Sequence, residues 1–390
     1  MNEKFIPLSV PNLKGNELKY VTTAVETEWV STGGPYVDEF EKKIAEYVKA
    51  PGAVSCQNGT SGLHTALMVL GVTREDVVLV PTLTFIAAVN PIAYVGAQPV
   101  FLDCDDSLCM DPIKLRRFCE EECQFKDGIL RVSDTGKIVK AMVVVHVFGN
   151  MADMEAIMQV AEDYHIRVVE DATEAIGTYY TRGRYEGCYA GTIGDIGVYS
   201  FNGNKIMTTG GGGMIVSKDE SFLERAKHLT TQAKADSLYY VHDEIGYNYR
   251  MTNLQAALGL AQLEQLESFI QIKSDNYQEY QQCVEKLEGL SLLPVREGIR
   301  SNHWFYAFLC DGQRLNRDTL MERLSAKKIQ SRPIWGLIHE QVPYEGARAY
   351  GIERAKFYWD HVINLPCSTS LTTNDVHVVM DAVTEIAGET

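Results

Sequence analysis

The chain has 390 residues, 45% hydrophobic and 23% charged, which is ordinary for a soluble globular protein with room for one large domain and a smaller one. Its formal net charge of −16 excludes a nonspecific nucleic-acid binder, which needs a basic surface. It leaves open a small anionic ligand held by a helix N-terminus and a few local cations.

No apolar run is long enough to span a bilayer, and residues 1–7 lack a basic stretch followed by an apolar one. A cytoplasmic protein with no membrane partner is therefore expected. The nine cysteines are scattered and read as reduced thiols. Cys119 and Cys123 sit four apart on an expected helix without further ligands nearby, so no metal is expected.

Short apolar runs alternate with helical patterns through the first two thirds of the chain. Residues 77–80 read as a strand ended by Pro81, 85–95 as a helix disturbed at Pro91, and 99–102 as a strand ending at Asp103. A β-branched strand over 141–147 is followed by a helix over 152–164 and strands over 167–170, 196–200 and 214–216. Runs apolar at nearly every position predict strands buried on both faces, and their alternation with helices predicts an α/β fold with a mostly parallel sheet. From Thr252 the spacing of Leu254, Ala257, Leu258, Ala261 and Leu266 predicts one long helix continuing towards Leu287. The expected division is a large domain over 1–251 and, over 252–390, the long helix and a small C-terminal domain. The latter holds a strand over 304–309 and helices over 320–328 and 375–386.

Five segments carry chemistry. Asn58-Gly59-Thr60-Ser61-Gly62 opens a helical pattern. Gly59 allows a tight turn, Thr60 and Ser61 offer hydroxyls and caps, and the first N–H groups would face an anion. The same turn would also serve as a plain N-cap. Phe85, just beyond a strand, would stack on a planar cofactor or pack in the core. Asp171 ends a buried strand, where ligands of open α/β sheets bind, and a carboxylate there keeps a pyridine nitrogen protonated. Lys205 stands in Ser200-Phe201-Asn202-Gly203-Asn204-Lys205, just before the glycines Gly210 to Gly213. A buried amine there is a Schiff-base nucleophile; an exposed one would be an ordinary surface lysine. Further on, Gly246-Tyr247-Asn248-Tyr249-Arg250-Met251-Thr252 places Asn248 and Arg250 before a helix, in reach of a phosphate or diphosphate.

Taken in order, these segments resemble the DegT/StrS sugar aminotransferases, which are fold-type-I pyridoxal-phosphate enzymes with an aspartate-aminotransferase-like fold. The resemblance runs from Ser31-Thr32-Gly33-Gly34-Pro35 to Asn364-Leu365-Pro366. It implies that Lys205 holds pyridoxal 5'-phosphate as a Schiff base, that Asp171 pairs with the ring nitrogen and that Phe85 stacks on the ring. It further implies that Gly59, Thr60, Ser61 and Ser200 bind the phosphate, and that Asn248 reaches it from the partner subunit of a homodimer. Many relatives carry histidine where Glu174 stands, which leaves the role of Glu174 open. A lysine at 205 rather than histidine favours amino transfer over sugar dehydration. The implied reaction moves an amino group from L-glutamate to the 4-keto group of a nucleotide-linked 4-keto-6-deoxy sugar. The 200–213 and 243–248 segments look most like enzymes acting on UDP-linked N-acetylhexosamines for surface glycans. A dTDP- or GDP-linked sugar is the alternative, and a noncatalytic cofactor-binding regulator the rival. For the sugar, His339, Trp335 and Tyr344 are the candidates, with Arg250 for the diphosphate.

Overall fold

Residues 4–388 are described by a computed structural model of the chain. Its larger sheet has ten strands, mixed and mostly parallel. The main path runs Gly52–Cys56, Gly213–Ser217, Ile196–Ser200, Arg167–Asp171, Ile138–Val145, Asp76–Pro81, Gln98–Leu102 and Ala349–Tyr350. Gly213–Ser217 is antiparallel to both its neighbours, while the pairs from Ile196–Ser200 onward are parallel. The side chains of residues 77–80 and 141–145 are almost wholly out of water, because helices cover the sheet. The α/β architecture expected from the alternating apolar runs is what forms.

A second sheet joins Leu290–Leu292, Tyr306–Cys310, Val362–Leu365 and Arg332–Pro333, all antiparallel. It has its own core, built from Tyr280, Tyr306, Phe308, Leu320, Ile363 and Val383 among others. Ile6 belongs to that core, pairs with Ile329, and is flanked by an ion pair between Lys4 and Asp375. In the other direction, Trp304, Ile334, Leu337 and Tyr344 pack into the larger core. The two large sheets fall on either side of residue 251 apart from Ala349–Tyr350, but a two-stranded sheet of Tyr179–Tyr180 with Ile299–Arg300 crosses it and the cores interleave.

Several elements depart from expectation. The helix expected over 85–95 is a short 3-10 turn, Ile86–Ala88, followed by Asn90–Tyr94. Pro91 lacks an N–H and is tolerated only in the first turn of a new helix. The long helix from 252 is two helices, Asn253–Leu263 and Leu266–Val284. The break resets the apolar stripe, so that Leu260 and Ala261 are buried before it and Leu266, Phe269 and Ile270 after it. Cys123 is not on the helix that carries Cys119, which ends at Glu121; it begins the strand Cys123–Lys126. Val147 lies in the turn after its strand, and Trp304 precedes the strand Tyr306–Cys310 instead of starting it. No helix among the described residues is long and apolar enough to cross a membrane.

Candidate active site

The carboxyl ends of the parallel strands open into one cavity of about 300 Å³. Asp171 and Ser200 are the last residues of their strands. The helix Gly59–Val69 points its N-terminus at the same place. Asn58 is its N-cap: its Oδ1 accepts the Ser61 N–H at 2.8 Å, and Ser61 Oγ accepts the Asn58 N–H at 3.2 Å. This reciprocal box uses the Ser61 hydroxyl, which also donates to the Asn58 carbonyl, and leaves Thr60 on the cavity wall. A Cβ on Gly59 would crowd Ser200 Cβ and Thr173 Cγ2, each at 3.0 Å.

Asp171 is 4% exposed and accepts the Thr173 N–H at 3.1 Å. Burial pushes its carboxyl above the ordinary value. Behind it, Glu170 is fully buried and accepts from the N–H groups of Gly191, Ile193 and Gly194 at 2.9, 2.6 and 2.6 Å. His146 Nδ1 accepts the Ala152 N–H, so its proton sits on Nε2 and is donated to Glu170 at 2.8 Å. Burial opposes the charge on Glu170, yet His146 and the N–H donors hold its carboxyl below the ordinary value.

Lys205 Nζ enters the cavity from the turn after Ser200. It lies 3.5 Å from Glu174 Oε1 and 4.2 Å from the centroid of the Trp304 ring. Glu174 Oε2 accepts the Phe148 N–H at 2.8 Å. Phe148 adopts a left-handed backbone with φ of 57°, a strained conformation for a bulky residue. Burial pushes the Glu174 carboxyl up to about 7, with Lys205 and the Phe148 N–H pulling the other way. Asn302 ties this corner together: its Nδ2 donates to the carbonyls of Glu174 and Ile176, both at 2.9 Å, and its Oδ1 accepts the Trp304 N–H. The Trp304 indole N–H donates to the carbonyl of Asn204, the residue before Lys205, at 2.8 Å.

A profile of the DegT/DnrJ/EryC1/StrS aminotransferase family matches residues 11–384. The chain belongs to this family. It is 36% identical to the GDP-perosamine synthase of Escherichia coli O157:H7, with 98% of each chain covered. It is 31% identical to the spore coat polysaccharide biosynthesis protein SpsC of Bacillus subtilis, over 98% of this chain and 97% of the other. Among solved structures, the aminotransferase TlmJ from Streptoalloteichus hindustanus superposes with a TM-score of 0.88 at 27% identity, covering 99% of this chain and 100% of that one. The protein is a pyridoxal-phosphate-dependent sugar aminotransferase of aspartate-aminotransferase-like fold.

The cavity of this aminotransferase suits the cofactor. The helix N-terminus with Gly59, Thr60 and Ser200 forms a cradle for an anion, and any Cβ on Gly59 would narrow it. An amine and a buried carboxylate line the same space, which is the donor set a pyridine aldehyde requires. Of the residues singled out from sequence, Lys205, Asp171, Gly59, Thr60, Ser200, Phe85 and Trp335 line the cavity. Ser61 does not, being occupied in the helix cap.

The remaining candidates also lie elsewhere. His339 Nδ1 is 2.6 Å from Thr82 Oγ1, and the Tyr344 hydroxyl donates to Asn90 Oδ1 at 2.7 Å. Arg250 donates from Nε to Asn248 Oδ1 at 3.0 Å, and neither residue is on the cavity wall of its own chain. Trp304, Asn202 and Asn204 line the cavity without having been singled out. The sequence around Trp304 offers a strand and no sign of the cavity.

Proposed function

We propose that this aminotransferase moves an amino group from L-glutamate to the 4-keto carbon of a UDP-linked N-acetyl-4-keto-6-deoxyhexosamine, for a surface glycan. The observation that carries the reading is the Lys205 amine, which opens into a cavity bounded by Asp171, Glu174 and the Gly59–Val69 helix N-terminus. When bound, the cofactor supplies an aldehyde that takes up the amino group and a protonated ring that drains negative charge.

In this reading Lys205 binds the cofactor at Nζ and, once free, holds and moves a proton at the same atom. Asp171 keeps the proton on the ring nitrogen through its carboxylate. Thr60, Ser200 and the first N–H groups of the Gly59–Val69 helix bind the phosphate. Phe85, 54% exposed and 6.5 Å from the Trp335 ring, orients the ring and the sugar from the open side. Asn248 and Arg250 act in the cavity of a second copy of the chain, Asn248 on the cofactor phosphate and Arg250 on the sugar diphosphate. The exposed side chains of Leu238, Tyr239, Tyr240 and Ile245, on the segment leading to them, support a homodimer.

A GDP-linked sugar is the second reading, favoured by the 36% identity to a GDP-perosamine synthase. One half-reaction separates the two. The enzyme is loaded in its amine form and offered UDP-, dTDP- and GDP-linked 4-keto-6-deoxy sugars. The UDP sugar is expected to restore the aldehyde absorbance and yield an amino sugar by mass; restoration by the GDP sugar alone overturns the first reading. Lys205→Ala is expected to fold, to lose turnover, and to carry no cofactor on the 205 peptide after borohydride.

A further inference from the structure

Glu174 is the one acidic group in the cavity to which the reading above gives no task. Among the described residues it is the carboxylate within ion-pair distance of Lys205 Nζ. Its two oxygens are not equivalent. Oε2 is held by the Phe148 N–H at 2.8 Å, so Oε1 alone faces the amine, at 3.5 Å. Asn302 anchors the main chain of Glu174, and the Phe148 N–H anchors its carboxyl.

The amine itself is shielded. The Lys205 side chain is 12% exposed, and the Trp304 ring covers it at 4.2 Å. A shielded lysine that must act first as a base and then as an acid needs a nearby acceptor other than bulk water.

We propose that Glu174 is the proton store of Lys205: its Oε1 takes a proton from Nζ when the amine must act as a base, and returns it when the amine must act as an acid. In the outward step an Nζ–H bond breaks and an Oε1–H bond forms. Both charges vanish together and no electrons are transferred. Burial raises the carboxyl to about 7, so its neutral form is within reach at physiological pH. The charged groups acting on it are Lys205 across the cavity and Asp171 from its own strand end; Phe148, Asn302 and Trp304, packed around it, bring no titrating group. Lys205 lowers it and Asp171 raises it. The proposal rests on the aminotransferase reading of Lys205, and its test separates the two.

Hydroxylamine added to the cofactor-loaded enzyme frees Lys205 whatever the natural amino donor is. Infrared difference spectra before and after at neutral pH are expected to show a new protonated-carboxyl stretch in wild type and its loss in Glu174→Gln. The glutamine keeps an acceptor for the Phe148 N–H, and its cofactor affinity is expected to match wild type. Turnover falls about 100-fold in Glu174→Gln, with KM unchanged. Should that variant not fold, Glu174→Asp, with its carboxyl withdrawn from Nζ, must weaken the band. No band in wild type, or the same band in Glu174→Gln, overturns the proton store. Failure of borohydride to fix cofactor on the wild-type Lys205 peptide overturns the functional reading instead.

Discussion

Asp171 and Glu174 are both buried at one strand end, yet their surroundings divide their tasks. Asp171 is raised by burial and receives one backbone N–H, from Thr173. In the proposed reading a protonated ring nitrogen opposite would favour its anionic form. Asp171→Asn removes that pairing and is expected to lower kcat about 1000-fold while cofactor remains bound, a split checked by steady-state kinetics beside absorbance of the purified variant. Part of the cavity wall was legible because strand ends and turn residues are local in sequence: Asp171 and Ser200 end apolar strands, and Gly59, Thr60 and Lys205 lie in the turns a few residues beyond theirs. Trp304 was not, because it reaches Lys205 from a part of the chain about 100 residues downstream and nothing in its neighbours announces the contact. Ser61, His339 and Tyr344 have the right chemistry for a site, but their polar atoms have protein partners at Asn58, Thr82 and Asn90.

The strands were legible from their unbroken apolar runs, whereas helix breaks were not. Leu260 before the break and Leu266 after it are both buried, so nothing in the apolar spacing marks residues 264 and 265 as a helix end. Close approach between elements is equally invisible in a pattern of apolar residues. Gly197 lies in the strand Ile196–Ser200, and a Cβ there would stand 1.9 Å from the carbonyl oxygen of Gly191. The loop it would push carries the N–H groups that hold Glu170. Gly197→Ala is expected to cost about 2 kcal/mol, read as a lowered urea midpoint at unchanged m-value, because backbone atoms cannot swing aside as a side chain can.

Across the whole molecule the proposed dimer makes a quantitative claim. If Asn248 serves its neighbour's cavity, Lys205→Ala and Asn248→Ala chains are each inactive alone. Hybrid dimers of the two have one site lacking both groups and one intact site. Mixing the chains, with brief denaturation to exchange subunits, is expected to restore about a quarter of wild-type turnover; no recovery would mean that Asn248 acts within its own chain. Strand pairing and burial both join stretches on either side of residue 251, as Tyr179–Tyr180 with Ile299–Arg300 and Trp304 in the larger core show. The seam where Ile6 pairs with Ile329 and Lys4 meets Asp375 has a consequence for folding. Contacts of such long sequence separation close a large loop, so this seam is expected to form late in folding and to be the first to open when the segment carrying Asp375 is cut away.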